Sequence, residues 1–276
     1  MSQLPFDFTA PADGSISQGD GARPPAEERV WIAPGPRAAE ALLLREIAAD
    51  AAAVRADPRL LAKPLRVIVP SRSLREHVAA KLAAEHGALA GVVVQTLRGF
   101  ARELLRRAGE PDVGRGGELL LPVLVRRRAP EYAPLRDVLG ALDEGYSPVV
   151  ETVRDLLDAG LDEHTAVADA LADLGDAAEI QRARALAALA LWIRAELEAL
   201  GLDPPAALFE AATGALERDA ALASARAVLI HGYADITGVQ LALVKQLAAG
   251  ADARVLIDHP PDPTGGGGVG AFTQRL

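Results

Sequence analysis

The chain has 276 residues, a formal net charge of −9, 50% apolar residues, 4% aromatic residues and no cysteine. That length can bury a full core as one large domain or as a domain carrying a second inside it, and the missing cysteines exclude disulfide frameworks, thiolate zinc sites, iron–sulfur ligation and cysteine nucleophiles within this chain. No run of about 18 uninterrupted apolar residues occurs, nor a basic start followed by an apolar core, so the expectation is a soluble cytoplasmic protein with no membrane span and no signal peptide.

Residues 1–28 hold Pro5, Pro11, Pro24, Pro25 and three glycines, with five acids against one arginine. This is the composition of a disordered leader. The apolar run 29–33, ended by Pro34-Gly35-Pro36, predicts a first buried strand, and an Ala/Leu-rich helix follows over 37–54. Residues 65–69 repeat the pattern, closed by Pro70, with Ser71 as N-cap of a helix reaching 86. Residues 91–95 predict a third, β-branched strand and 97–108 its helix. Three strand-helix units in succession predict a parallel sheet.

From 116 to 222 only helical periods occur. Ser147-Pro148 begins one that Gly160 ends, and Leu186, Leu189, Ile193, Leu197 and Leu200 form a stripe at three- and four-residue spacing. The strand signal returns at 227–231, followed by a helix over 237–249 and a strand over 254–258. The expected architecture is an α/β parallel-sheet lobe over 29–110 and 223–260, with an all-helical subdomain over 111–222 inserted between its third and fourth strands. Residues 261–276 are expected to be a linker and, from 271, the start of a further element.

In a parallel sheet the chemistry gathers at the carboxyl ends of the strands. After the first strand stands Ala33-Pro34-Gly35-Pro36-Arg37-Ala38-Ala39-Glu40. A phosphate-binding loop needs successive backbone amides, glycines that permit their path, a lysine for the terminal phosphates and a hydroxyl for Mg²⁺. Here two prolines delete two donors, the lysine and hydroxyl positions are filled by alanine-type residues, and Glu40 would oppose a triphosphate. Gly35 and Arg37 are what is left of a vestigial nucleotide site. Arg37 could still hold an anion, and the plain alternative is a proline-rich turn that starts a helix.

At the fourth strand end, where a nucleotide hydrolase carries an acidic pair, the sequence runs His231-Gly232-Tyr233-Ala234-Asp235. The acids are missing. His231 reads as a polar strand-end residue and Asp235 as an N-cap. Arg98, Arg102 and Arg106 recur every four residues, a candidate phosphate-backbone contact whose bland alternative is a solvated helix face balanced by Glu103 and Glu110. Arg126-Arg127-Arg128 invites the same two readings. The lysines are Lys63, Lys81 and Lys245, all other basic residues being arginine, and this bias discounts any single arginine as a signal. Two residues before those lysines stand Leu61, Ala79 and Leu243, so an acid-x-Lys nuclease site is missing from this chain. No catalytic residue and no metal ligand is assigned.

In their order, the strand-turn-helix at 31–47, Val67-Ile68-Val69-Pro70-Ser71, Thr96-Leu97-Arg98-Gly99-Phe100-Ala101, a helical insertion and His231-Gly232-Tyr233-Ala234-Asp235-Ile236-Thr237 resemble the N-terminal region of UvrD/Rep-type superfamily 1 helicases. Closest is the AddB-type subunit of bacterial helicase-nucleases, over 29–258. The resemblance implies a RecA-like, P-loop NTPase-like first lobe with a degenerate loop and a helical insertion. It also implies a subunit that works with an AddA-like helicase-nuclease partner on single-stranded or end-unwound DNA during recombinational repair of double-strand breaks. Ser71, Arg72, Thr96 and Arg98 match family segments that touch the DNA backbone, and Arg102 extends that helix face. No cofactor is then expected. ATP and Mg²⁺ would be needed only if the chain were an active motor with Arg37 replacing the lysine; a third possibility is a structural lobe whose insertion docks a partner.

Overall fold

All five residues of strand β2 (Leu65–Val69) are buried, the mark of a parallel strand covered on both faces. A computed structural model of the chain describes residues 29–258 apart from 112, 114–115, 140–144, 163–166, 168–170 and 172–175. The leader expected over 1–28 and the linker and further element expected over 261–276 lie outside the described residues.

The other strands are β1 (Val30–Ala33), β3 (Val92–Thr96), β4 (Ala227–His231) and β5 (Ala253–Asp258). They form one five-stranded sheet in the order β1-β5-β4-β2-β3, every pair parallel. Leu65 is level with Val92 on one side and Ala227 on the other. The period of two in the strands separates two cores. Leu65, Val67, Val69, Leu229 and Leu256 face helices α1 (Pro36–Ala56) and α2 (Arg72–His86), where Leu43, Ile47, Val78 and Leu82 meet them. Ile68, Val228, Ile230, Val255 and Ile257 face the opposite way, onto α3 (Leu97–Ala108) and two later helices. Each fully buried Leu, Ile or Val contributes about 1.5–3 kcal/mol.

The helical stretch contains α4 (Gly117–Arg128), α5 (Ala133–Leu139), α6 (Ser147–Asp158), α7 (Ala177–Ala199) and α8 (Ala207–Arg218), and α9 (Gly238–Gly250) joins β4 to β5. Packing divides this stretch. Leu121, Val125, Val153, Leu157, Leu189, Ile193 and Leu197 make a core of their own. In contrast α8 sends Leu208, Phe209, Ala212 and Leu216 into the sheet's core beside α3 and α9. The helical block also touches the sheet lobe at the end of α6: a Cβ built on Gly238, the first residue of α9, would stand 2.0 Å from the Ala159 carbonyl oxygen. Only glycine permits that approach, which sets the carbonyl end of α6 against the amide end of α9.

Candidate nucleic-acid interface

Because every strand is parallel, the residues singled out in the sequence share one edge of the sheet. β2 and β3 are neighbours, so Ser71 and Arg72 stand beside Thr96 and Arg98. Gly35 and Arg37 follow β1, three strand spacings from β2, or about 14 Å along the edge. The edge therefore carries two separate places, a β2–β3 ledge and a β1 loop.

On the ledge, the Ser71 hydroxyl oxygen accepts from the Leu74 amide at 3.1 Å, and the Thr96 hydroxyl oxygen accepts from the Gly99 amide at 3.1 Å. Each hydroxyl caps its helix and keeps its own proton to donate. The first two amides of α2 and of α3 have no intrahelical partner, which gives two adjacent positive helix ends. Arg72 is exposed and donates to Glu76 at 2.7 Å, an exposed pair that a phosphate can displace at little cost. Arg98 is exposed with its guanidinium carbon 6.0 Å from the Phe209 ring centre, so it leans toward α8. Arg102 and Arg106, one and two turns on, line a different cleft of about 450 Å³ with Gly109, Glu110 and Pro111. The arginine row thus serves two surfaces.

The acids that a balanced solvated face would need are engaged elsewhere. Glu110 pairs with Arg218. Glu103 turns inward, where Arg66 donates to both its oxygens at 2.9 and 3.0 Å and Arg107 approaches at 2.6 Å. The Arg66 side chain is 1% exposed, lies 5.4 Å from the Phe100 ring centre and sends its Nε toward the Ser224 carbonyl at 3.4 Å. Burial pushes the Glu103 carboxyl up, and the guanidiniums of Arg66, Arg107 and Arg106 outweigh it and hold the carboxyl below its ordinary value. This network clamps α3 to β2 and fixes which way its arginines point. A charged residue inside the apolar run Leu-Arg-Val-Ile-Val is the sequence signal for it.

The β1 loop itself offers no amide to a phosphate, and only the Arg37 and Ala38 amides of the first α1 turn lack an intrahelical acceptor. Pro34 and Pro36 have none, and the Gly35 amide donates to the Ala33 carbonyl at 2.8 Å. Gly35, at φ 95°, is the N-cap of α1 without a side-chain cap. Arg37 is exposed. Glu40 accepts from Lys81 at 2.7 Å and from His77 at 3.0 Å, two α2 side chains four residues apart. The Lys81 ammonium, joined by His77 and opposed by burial, holds the Glu40 carboxyl below its ordinary value. So Glu40, an anion in the first turns of α1 beside this loop, is already paired from the neighbouring helix.

His231 is 6% exposed and its Nδ1 has no partner among the described residues. Burial lowers its pKa against the pull of Asp258 and Glu40, so the ring is neutral near pH 7. The cap of α9 is Thr237 and not Asp235, whose carboxylate accepts from the adjacent Ile236 amide at 2.8 Å. Thr237 is in extended form, at φ −73° and ψ 160°, so the first α9 turn begins after it and not after Asp235. Of the Arg126-Arg127-Arg128 run, Arg128 stacks 5.1 Å from the Trp192 ring centre and pairs with Glu131, while Arg126 and Arg127 stay exposed. Among the described residues no group of three or more His, Asp or Glu is placed to hold a metal ion, and no helix is long and apolar enough to cross a membrane.

Comparison with protein-family models gives no match, and none of the curated proteins matches the chain.

Proposed function

We propose that this chain is a DNA-handling, ATPase-inactive, RecA-like module of an AddB-like helicase-nuclease subunit, holding single-stranded or end-unwound DNA beside an AddA-like partner in double-strand break repair. The observation that carries the reading is the β2–β3 ledge, where Ser71, Arg72, Thr96, Arg98 and two helix N-termini converge on one strip of the sheet edge. Such a strip meets phosphates and reads no bases, so binding would be sequence-tolerant. The β1 loop supports the inactive half of the reading: its two prolines and the internally bonded Gly35 amide give no phosphate cradle, and Glu40 beside it is held by Lys81 and His77.

The test is binding of labelled single-stranded DNA by the purified chain as salt is raised. Affinity should fall steeply, with a log–log slope of about −0.7 per phosphate contact, and Arg98→Ala should weaken binding. No binding, or binding indifferent to salt and to Arg98→Ala, would refute the DNA role. ATP turnover lost on Arg37→Ala would instead favour the motor. A docking lobe is the second reading, favoured by one observation: Leu119 and Val123 on α4, with Leu200 after α7, are 82%, 58% and 55% exposed.

A further inference from the structure

Helix α4 turns apolar side chains outward where a surface helix ordinarily carries charge. Leu119 and Val123 are 82% and 58% exposed, and Arg126 and Arg127 continue the same face, also exposed. The end of α7 lies alongside. Gly116 bridges to Asp203, a Cβ on Gly116 would stand 2.9 Å from Leu202, and one on Gly117 would stand 3.4 Å from Leu197. Leu200, between those two leucines in the chain and 55% exposed, is thereby held at the first turn of α4. At the other end Arg127 Nη1 lies 4.0 Å from Glu196, one turn before Leu200. Leu121, Val125, Ile193 and Leu197 back the two helices from beneath. The outer face is therefore an apolar strip of Leu119, Val123 and Leu200 with a basic end.

We propose that this strip is the seat of the chain's own N-terminal segment Leu4-Pro5-Phe6-Asp7-Phe8. Residues 1–28 lie outside the described residues, and their sequence carries the complement of the strip. Two of the chain's five phenylalanines fall in this one stretch. Pro5 restricts Leu4 to extended backbone. In an extended segment Phe6 and Phe8 stand on one side about 6.8 Å apart, close to the roughly 6 Å that separates Leu119 from Val123 along a helix. Charge matches too: residues 1–28 hold five acids against Arg23 alone, with Asp7 between the two phenylalanines, and the strip ends in Arg126 and Arg127. Reach is not limiting, since the roughly 20 residues from 9 to 28 can extend about 66–72 Å and a compact chain of this size is roughly 45 Å across. The small size of the strip favours a tethered occupant over a separate one. Three side chains offer a few hundred Å², short of the about 800 Å² per partner that a stable complex buries. A tethered segment meets its seat at an effective concentration near millimolar and needs only a weak contact. The inference is independent of the DNA-handling reading, and it gives the exposed face of the docking reading an occupant from the same chain.

The chain has no cysteine, so paired cysteines report the contact directly. Phe8→Cys with Val123→Cys is oxidised mildly in the full chain and compared with Phe8→Cys and Ile32→Cys, a control position equally exposed at 58% and nearer the segment's attachment at Arg29. Non-reducing electrophoresis and mass spectrometry of digests read the disulfides, heat unfolding of the reduced variants checks the fold, and Leu119→Cys replaces Val123→Cys if that variant unfolds. The Val123 pair should close within one chain about threefold faster than the control or more. Phe6→Ser, or Arg126→Glu together with Arg127→Glu, should abolish that advantage. Equal rates for the two pairs overturn the inference. A disulfide that forms only between chains and fades on dilution also overturns it, the strip then being a contact between copies. So does an advantage that survives both Phe6→Ser and the charge reversal, because the proximity would then owe nothing to the chemistry of the segment. None of these outcomes touches the DNA reading, whose own test is the salt-dependent titration.

Discussion

Glu103→Leu is the sharpest test of how the ledge is built. In the native chain Arg66 is 1% exposed, and its two strongest contacts, at 2.9 and 3.0 Å, both go to Glu103. Removing that carboxylate leaves a buried guanidinium, its charge uncompensated, with the Gln95 amide oxygen at 3.0 Å, a 3.4 Å contact to the Ser224 carbonyl and the Phe100 ring. Breaking one partner of a buried ion pair costs about 3–5 kcal/mol, a large part of the roughly 5–15 kcal/mol that holds a domain folded. For a chain of this size that corresponds to a fall in Tm of about 6–20 °C. Arg66→Met with Glu103→Leu removes both charges, leaves the volume filled, and should return to within about 1 kcal/mol of wild type. Urea and heat unfolding are followed by circular dichroism and by the fluorescence of a Trp192→Phe background, whose remaining Trp31, on β1, is partly buried against the core beneath α1 and α2. A loss below about 1 kcal/mol in the single variant, or a double variant no better than the single, would refute the claim that the buried pair clamps α3.

Three further outcomes follow from the same geometry. Thr96→Asp should leave stability near wild type, because aspartate caps a helix as well as threonine, yet it should weaken single-stranded DNA binding in the anisotropy titration. Gly238→Ala should cost about 1–3 kcal/mol in heat unfolding, since the added Cβ meets a backbone carbonyl at 2.0 Å that has no flexible end to yield. The pH profile of stability should carry a contribution from His231: its folded pKa lies below the ordinary 6.5, so the stability is full above that value and is lost as pH falls toward the folded pKa. His231→Gln should flatten the profile below pH 6.5 in urea unfolding measured across the acid range. Glu103 and Glu40, held below their ordinary value of 4.5, add a second loss of stability only at more acid pH.

The strands were legible because each carries its own local punctuation. Val-Ile-Val before Pro70 and Val-Val-Val before the Thr96 cap need no distant partner to declare themselves, and parallel pairing follows from the helices between them. What could not be read was anything decided by contacts far apart in the chain. That β5 lies between β1 and β4 is set by the pairing of Val30 with Val255, 225 positions away, and no local pattern encodes it. Likewise α7 and α8 share an Ala/Leu period that says helix but not which core it enters; only the fit of Phe209 and Leu216 beside α3 assigns α8 to the sheet.

The candidate site follows a related logic. Positions that obey local rules, such as the Ser71 and Thr96 caps, were legible as structure and are that, whatever else they touch. The positions that sequence reasoning passed over break a local rule: Arg66 inside an apolar strand, Lys81 and His77 facing an acid on another helix, and Asp158 at the carbonyl end of α6. A locally unfavourable residue must be compensated by something distant or serve something other than the fold. Arg66 has its compensation in Glu103, and Glu40 has it in Lys81. Asp158 has like charge from Asp155 and Glu118 about it, and Arg154, four residues back on α6, is its largest counter-charge. Arg66 and Glu40 are thus resolved by Glu103 and His77, each 37 positions away along the chain, a separation that no local pattern spans and only the folded chain closes.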